Sequence, residues 1–184
     1  MDFKDIAQKN KDTLQVPNLY NTINTFKSKE DILDSLIARM TKQLMAKSAM
    51  IASNKEIPLL DRLPLSIMAL NVDTSFGHEV MEQVHKPQNA LMHQKMQQEL
   101  LSGIVPIIAG LVKEGIEEGL FETEYPDEAI EMTMLYSNIV FDELSDVPPE
   151  LMQRKIMGFI YNVERLIGAR KGSLNAAIMR IFNK

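Results

Sequence analysis

Between Ser28 and Ser53 the apolar residues fall at a spacing that only a helix can use. Ile32, Leu33, Leu36 and Ile37 recur three and four positions apart, and Ile32, Leu36, Met40, Leu44 and Ala52 continue the stripe. Ser28 stands where an N-cap belongs. Glu30 and Asp31 follow it in the first turn, where carboxylates meet the positive end of the helix dipole. The pattern predicts one long amphipathic helix from about Lys29 to Ser53, entered abruptly from a short polar segment. Such a helix has an apolar face to bury, so the chain must supply further helices to cover it.

The remaining sequence supplies them. "FKDIAQKN" reads as a short amphipathic helix with Phe3, Ile6 and Ala7 on one side. Pro17 suits the first turn of a helix over residues 17–25, because its missing N–H would have no partner there. Pro58 opens a helix containing "LLDRLPLSIMAL", and Thr74 or Ser75 caps "FGHEVMEQVH". After a break near Pro87, a long helix runs from about Asn89 to Gly119; Pro106 predicts a kink in it and Gly119 its stop. Pro126 starts the next helix and "SDVPPE" is a loop leading into another, "LMQRKIMGFIYNVERLIGA". Ser173 caps a last short one. No stretch alternates in the manner of a strand, and aromatic residues make up only 6%. The fold class is all-α.

The 184 residues, 45% of them hydrophobic, are enough for one compact domain or a small unit attached to a larger one. There is no Cys, which excludes disulfides, thiolate zinc sites and a cysteine nucleophile and fits a reducing cytoplasm. The charged opening "MDFKDIAQKNKD" is no signal peptide. Runs such as "IVPIIAGLV" fall well short of the ~20 residues needed to span a bilayer, so the expected location is cytoplasmic, with no membrane partner. Charge is uneven: residues 1–50 carry +2 and the remainder −7, for a total of −5. Acidity overall argues against nonspecific coating of nucleic acid, while a mildly basic N-terminal unit permits local DNA contact.

Five segments carry a resemblance. "DIAQKN", "VPNLYN" and "FKSKEDILDSLI" are similar to the end of the N-terminal DNA-binding unit of TetR-family transcriptional regulators. The matching positions are the Ile6-Ala7 pair, the Leu19-Tyr20 pair and Phe26-Lys27-Ser28-Lys29-Glu30. "LVKEGIEEGLFETEYPDEAIEM", residues 111–132, resembles the Gly-Ile-x-x-Gly-x-Phe segment that joins two helices of their ligand-binding domain, and "ERLIGARKGS" resembles their C-terminal helix close. The resemblance implies a partial helix-turn-helix unit over residues 1–38 and a helical ligand-binding and dimerisation domain over residues 39–184. It assigns Tyr20 and Lys29 to phosphate contact. Gln15, Asn18 and Asn21 become candidates for base or backbone contact, although an exposed polar helix face explains them equally well. The chain departs from the family pattern in two respects. Five residues precede the Ile6-Ala7 pair where the family has a full first helix, and Phe26 stands further from Tyr20 than usual, with "KDTLQV" in place of the usual Gly-Val-Ser turn. Both departures imply an N-terminally truncated chain or weakened DNA binding.

In the larger domain, Met68, Phe76, Met81, Met92, Met96, Ile107, Leu111 and Tyr136 are candidates to line a pocket for a small apolar effector; ordinary core is the competing reading of each. His78, His85 and His93, with Glu82, would share a face only on an unbroken helix. Pro87 interrupts it, so polar surface or ligand-facing histidine is the reading preferred to a metal site. The acidic stretch from Glu114 to Glu131 carries no base and reads as a solvated face rather than a site for a cationic partner. The last two long helices are apolar on more than one side, with Met132, Leu135 and Ile139 on one and Ile156, Phe159, Ile160, Val163 and Ile167 on the other. The resemblance makes these the homodimer interface. The expected function is a ligand-responsive transcriptional regulator, a repressor, reading a palindromic double-stranded operator as a dimer. The alternative is a dimeric small-molecule-binding protein of the same fold with lost or weakened DNA binding. No nucleophile–base pair, phosphate loop or cofactor motif points to an enzyme.

Overall fold

The computed structural model describes residues 28–72, 74–142 and 148–182. Among them are seven α-helices and no strand. They are α1 (Lys29–Ser53), α2 (Leu59–Met68), α3 (Ser75–Val84), α4 (Ala90–Glu117), α5 (Pro126–Asp142), α6 (Pro149–Leu166) and α7 (Asn175–Phe182), with a 3-10 turn at Pro87–Asn89 ahead of α4. The helices expected before residue 28 lie outside the described residues.

The helix boundaries follow local chemistry. Ser28 Oγ accepts the Asp31 N–H at 3.1 Å, and Thr74 Oγ1 accepts the Gly77 N–H at 3.0 Å. Both are side-chain caps on N–H groups that the first turn leaves without an intrahelical partner. Pro126 and Pro149 open α5 and α6, where a missing N–H costs nothing. α4 is continuous through the exposed Pro106. It closes at Gly119, whose φ of 73° is a conformation that side chains disfavour, and the Leu120 N–H returns to the Gly115 carbonyl at 2.7 Å. α7 begins two residues beyond the expected Ser173 cap, with the Ile178 N–H donating to Leu174 O at 2.8 Å.

The chain forms two compact units. Among the described residues, one comprises residues 28–43, 72 and 74–98, the other residues 44–71, 99–142 and 148–182. α1 and α4 each contribute residues to both units.

In the first unit, Leu33, Ile37, Val80, Val84 and Met96 are buried, and so is Thr41. The buried face of α1 is Leu33, Ile37, Thr41 and Ser48, one position on from the expected stripe of Ile32, Leu36, Met40, Leu44 and Ala52, which is only half-buried. The buried row is half polar, so apolar periodicity alone favours the wrong one of two adjacent rows.

The core of the second unit joins Leu59 and Leu63 of α2, Ile104, Ile108, Leu111 and Val112 of α4, Phe121 of the following loop, Ala129 and Ile130 of α5, and Val163, Ile167 and Leu174. α2 packs against α7, and α6 packs against both α5 and α7. Asp61 pairs with Arg180 at 2.5 Å across the α2–α7 contact. Glu164, buried on α6, accepts the Gly172 and Leu174 N–H groups at 2.8 and 3.0 Å and so holds the turn that starts α7. The turn is tight at Gly168, where φ is 65° and any Cβ would collide with the Glu122 carbonyl.

Candidate functional site

The second unit presents an apolar face that its own residues do not cover. On α5, Met132, Leu135, Tyr136 and Ile139 are 59%, 41%, 41% and 58% exposed, at three- and four-residue spacing along one side. On α6, which packs against α5, Leu151, Met157 and Tyr161 are also exposed. Exposed apolar residues scattered singly are ordinary; four of them along one side of a single helix are not. Arg165 lies over the Tyr161 ring, 5.4 Å from its centroid, and Tyr136 stacks on Phe159 with centroids 6.0 Å apart. Phe159 meets Phe182 edge-on at 6.3 Å, so aromatic contacts link α5, α6 and α7.

The same unit holds a charged cluster that sequence reading missed. Arg62 is 3% exposed and donates through both terminal nitrogens to Glu114, at 2.5 and 3.0 Å. Lys55 adds a second cation at 2.5 Å from Glu114 Oε2. These bonds, Arg62 first and Lys55 second, hold the Glu114 carboxyl down at about 2, and Glu114 raises the Arg62 guanidinium above its ordinary value. The "LDRL" setting of Arg62 gives the only hint in the sequence, a charged residue inside an apolar helix pattern. Its partner, 52 positions away, leaves none.

Between α4 and α5, Gly115 leaves the space that the Phe121 ring occupies, since a Cβ there would overlap the ring. Phe121 is 4% exposed and enters the core, and Gly119 turns the chain between them. The Gly-Ile-x-x-Gly-x-Phe segment is therefore a packing device: one glycine for room, one for the turn, and an aromatic anchor. Residues 72–160 match the family model described as tetracyclin repressor-like, C-terminal domain. Residues 72–160 are thus similar to the C-terminal domain of TetR-family regulators. No curated protein matches the chain.

The candidate residues lie in several environments. Of the DNA-contact candidates, Gln15, Asn18, Tyr20 and Asn21 lie outside the described residues, as does the side chain of Lys29, whose backbone begins α1. Of the effector candidates, Met81 and Met92 are half-buried and Met96 is buried in the first unit; the Phe76 side chain lies outside the described residues. In the second unit, Met68 and Ile107 are half-buried, Leu111 is in the core and Tyr136 is on the exposed face. Of the dimer candidates, Met132, Leu135 and Ile139 are exposed, Phe159 is half-buried, and Ile156, Ile160, Val163 and Ile167 are covered within one chain. The outward apolar residues of α6 are instead Leu151, Met157 and Tyr161.

His85 and His93 meet edge-on with ring centroids 4.9 Å apart, brought together by the turn at Pro87–Asn89. Among the described residues, no three His, Cys, Asp or Glu side chains are grouped so as to hold a metal ion. Along the acidic stretch, Glu114 is bound by Arg62 and Lys55, and Asp127 pairs with Lys113 at 2.6 Å. Glu117, Glu118, Glu122, Glu124, Glu128 and Glu131 face solvent. Among the described residues no helix is long and apolar enough to cross a membrane.

Proposed function

We propose that the protein is a ligand-responsive transcriptional regulator, a repressor, that reads a palindromic operator as a homodimer. The observation that carries this reading is the exposed apolar face of α5 and α6 on a TetR-like C-terminal domain. A second copy related by a two-fold axis would cover Met132, Leu135, Tyr136, Ile139, Met157 and Tyr161 with the same residues, forming a four-helix contact. Two-fold symmetry then matches a two-fold operator.

DNA contact falls to the segment before α1 and to the start of that helix. The capped N-terminus at Ser28 directs N–H groups outward, and Lys29 follows it in sequence, a combination suited to a phosphate. Tyr20 is the second phosphate candidate, with Gln15, Asn18 and Asn21 nearer the bases. The effector is small and apolar. Met81 and Met92, half-buried in the first unit, offer adaptable walls for such a molecule. It acts by binding one arrangement of the protein better than another.

The test is selection from a random duplex library with the full chain, followed by titration of enriched sites at two salt concentrations. Enrichment of a palindrome with steep salt dependence supports the reading. No enrichment by a folded dimer would establish a ligand-binding protein of the same fold that does not read DNA.

A further inference from the structure

The C-terminal end of α1 is held by a side chain from the next helix. A helix leaves its last four carbonyls without intrahelical partners. Here Met50 O accepts from the Ser53 hydroxyl at 3.1 Å and Ile51 O from the Asn54 N–H at 3.1 Å, both local bonds. Ala52 O is taken at 2.9 Å by Arg62, which reaches back from α2. The same guanidinium donates through Nε to Ile57 O at 3.0 Å, in the connecting loop, and through both terminal nitrogens to Glu114, in the last turn of α4. One buried side chain thus binds three segments besides its own.

We infer that Arg62 is a positioning residue that fixes the C-terminal turn of α1 to α2 and α4, so that a displacement of either helix is handed to α1 at Ala52.

The chemistry suits this role. A guanidinium is planar and carries five N–H donors in a fixed fork, so it can serve a carboxylate on one edge and carbonyls on another without rearranging. Its bidentate bond to Glu114 sets orientation as well as distance. Glu114 is held ionised far below neutral pH, so the joint persists at every physiological pH and is no acid switch. Lys55 is mostly exposed and pairs with the same carboxylate, so it reinforces the Arg62–Glu114 bond. α1 is one unbroken helix from Lys29 to Ser53, and its last turn is the part that Arg62 holds. The consequence for regulation rests on the reading given above; the joint itself does not.

Hydrogen–deuterium exchange of the full chain, resolved by segment, tests the inference with Arg62→Met, Arg62→Lys and Glu114→Gln. Arg62→Met is expected to speed exchange over residues 44–58 by about tenfold or more, while residues 149–182 keep their protection. Arg62→Lys is expected to leave residues 44–58 nearly as exposed, because one ammonium cannot span the positions of three guanidinium nitrogens. Glu114→Gln, which keeps the carbonyl bonds, is expected to fold and to give a smaller rise in the same segment, so it decides the matter if Arg62→Met does not fold. Unchanged exchange over residues 44–58, an equal rise in every segment, or full rescue by lysine would overturn the inference. None of these readouts requires DNA or effector, so failure of operator selection leaves the joint standing and the regulator reading alone falls.

Discussion

At the scale of single residues, the strongest constraints are steric and electrostatic. Gly168 combines φ of 65° with a carbonyl where a Cβ would stand. Gly168→Ala should therefore destabilise the fold by about 3 kcal/mol or more, measurable by chemical denaturation, since strain and backbone displacement add. Glu114 sets an acid limit. Its folded value of about 2 lies below the model-compound value of 4.5, so the contribution is fully present above about pH 4.5 and is lost as pH falls toward 2. Over that window the unfolded chain takes up the proton first. The stability gap between wild type and Glu114→Gln should narrow as pH is lowered from 5 to 2. A constant gap would mean that the carboxylate gains nothing from Arg62 and Lys55.

At the scale of elements, short side-chain caps decide where helices begin. Thr74 Oγ1 supplies the cap of α3, a helix of ten residues that gains little from length. Thr74→Ala should cost about 1 kcal/mol, and exchange should rise first at the amides of the opening turn of α3. α5 and α6 illustrate the opposite case, in which an element is only partly satisfied by its own chain. α6 buries Ile156, Ile160 and Val163 on one side and exposes Leu151, Met157 and Tyr161 on another. Periodicity shows that both sides are apolar. Which side the monomer uses depends on α5 and α7 packing against it, and neither neighbour can be identified from α6 alone.

At the scale of the whole molecule, the predictions concern association. Ile139 is 58% exposed, so Ile139→Glu should leave the monomer fold intact while shifting sedimentation from dimer to monomer. A variant that remained dimeric would exclude the α5–α6 face as the interface. For an operator recovered by selection, Lys29→Ala should weaken binding similarly across sequences and reduce the salt slope by about 1. An unchanged slope would remove Lys29 from the phosphate contacts.

The amino-acid sequence by itself determined the helical class, the cap at Ser28 and one at Thr74 or Ser75, the proline starts of α5 and α6 and the stop at Gly119. Each rests on interactions within a few residues, and local chemistry is fully written in local sequence. The Gly115–Phe121 segment was legible as a family likeness, but its reason, a ring filling the space above a glycine, required coordinates. Tertiary structure decided which of two adjacent rows on α1 is buried, which residues of α6 belong to the monomer core, and that Arg62 meets Glu114. Each of these depends on segments distant in the chain, whose approach is chosen by the packing of all the helices in a unit together, and no single helix's periodicity carries that information.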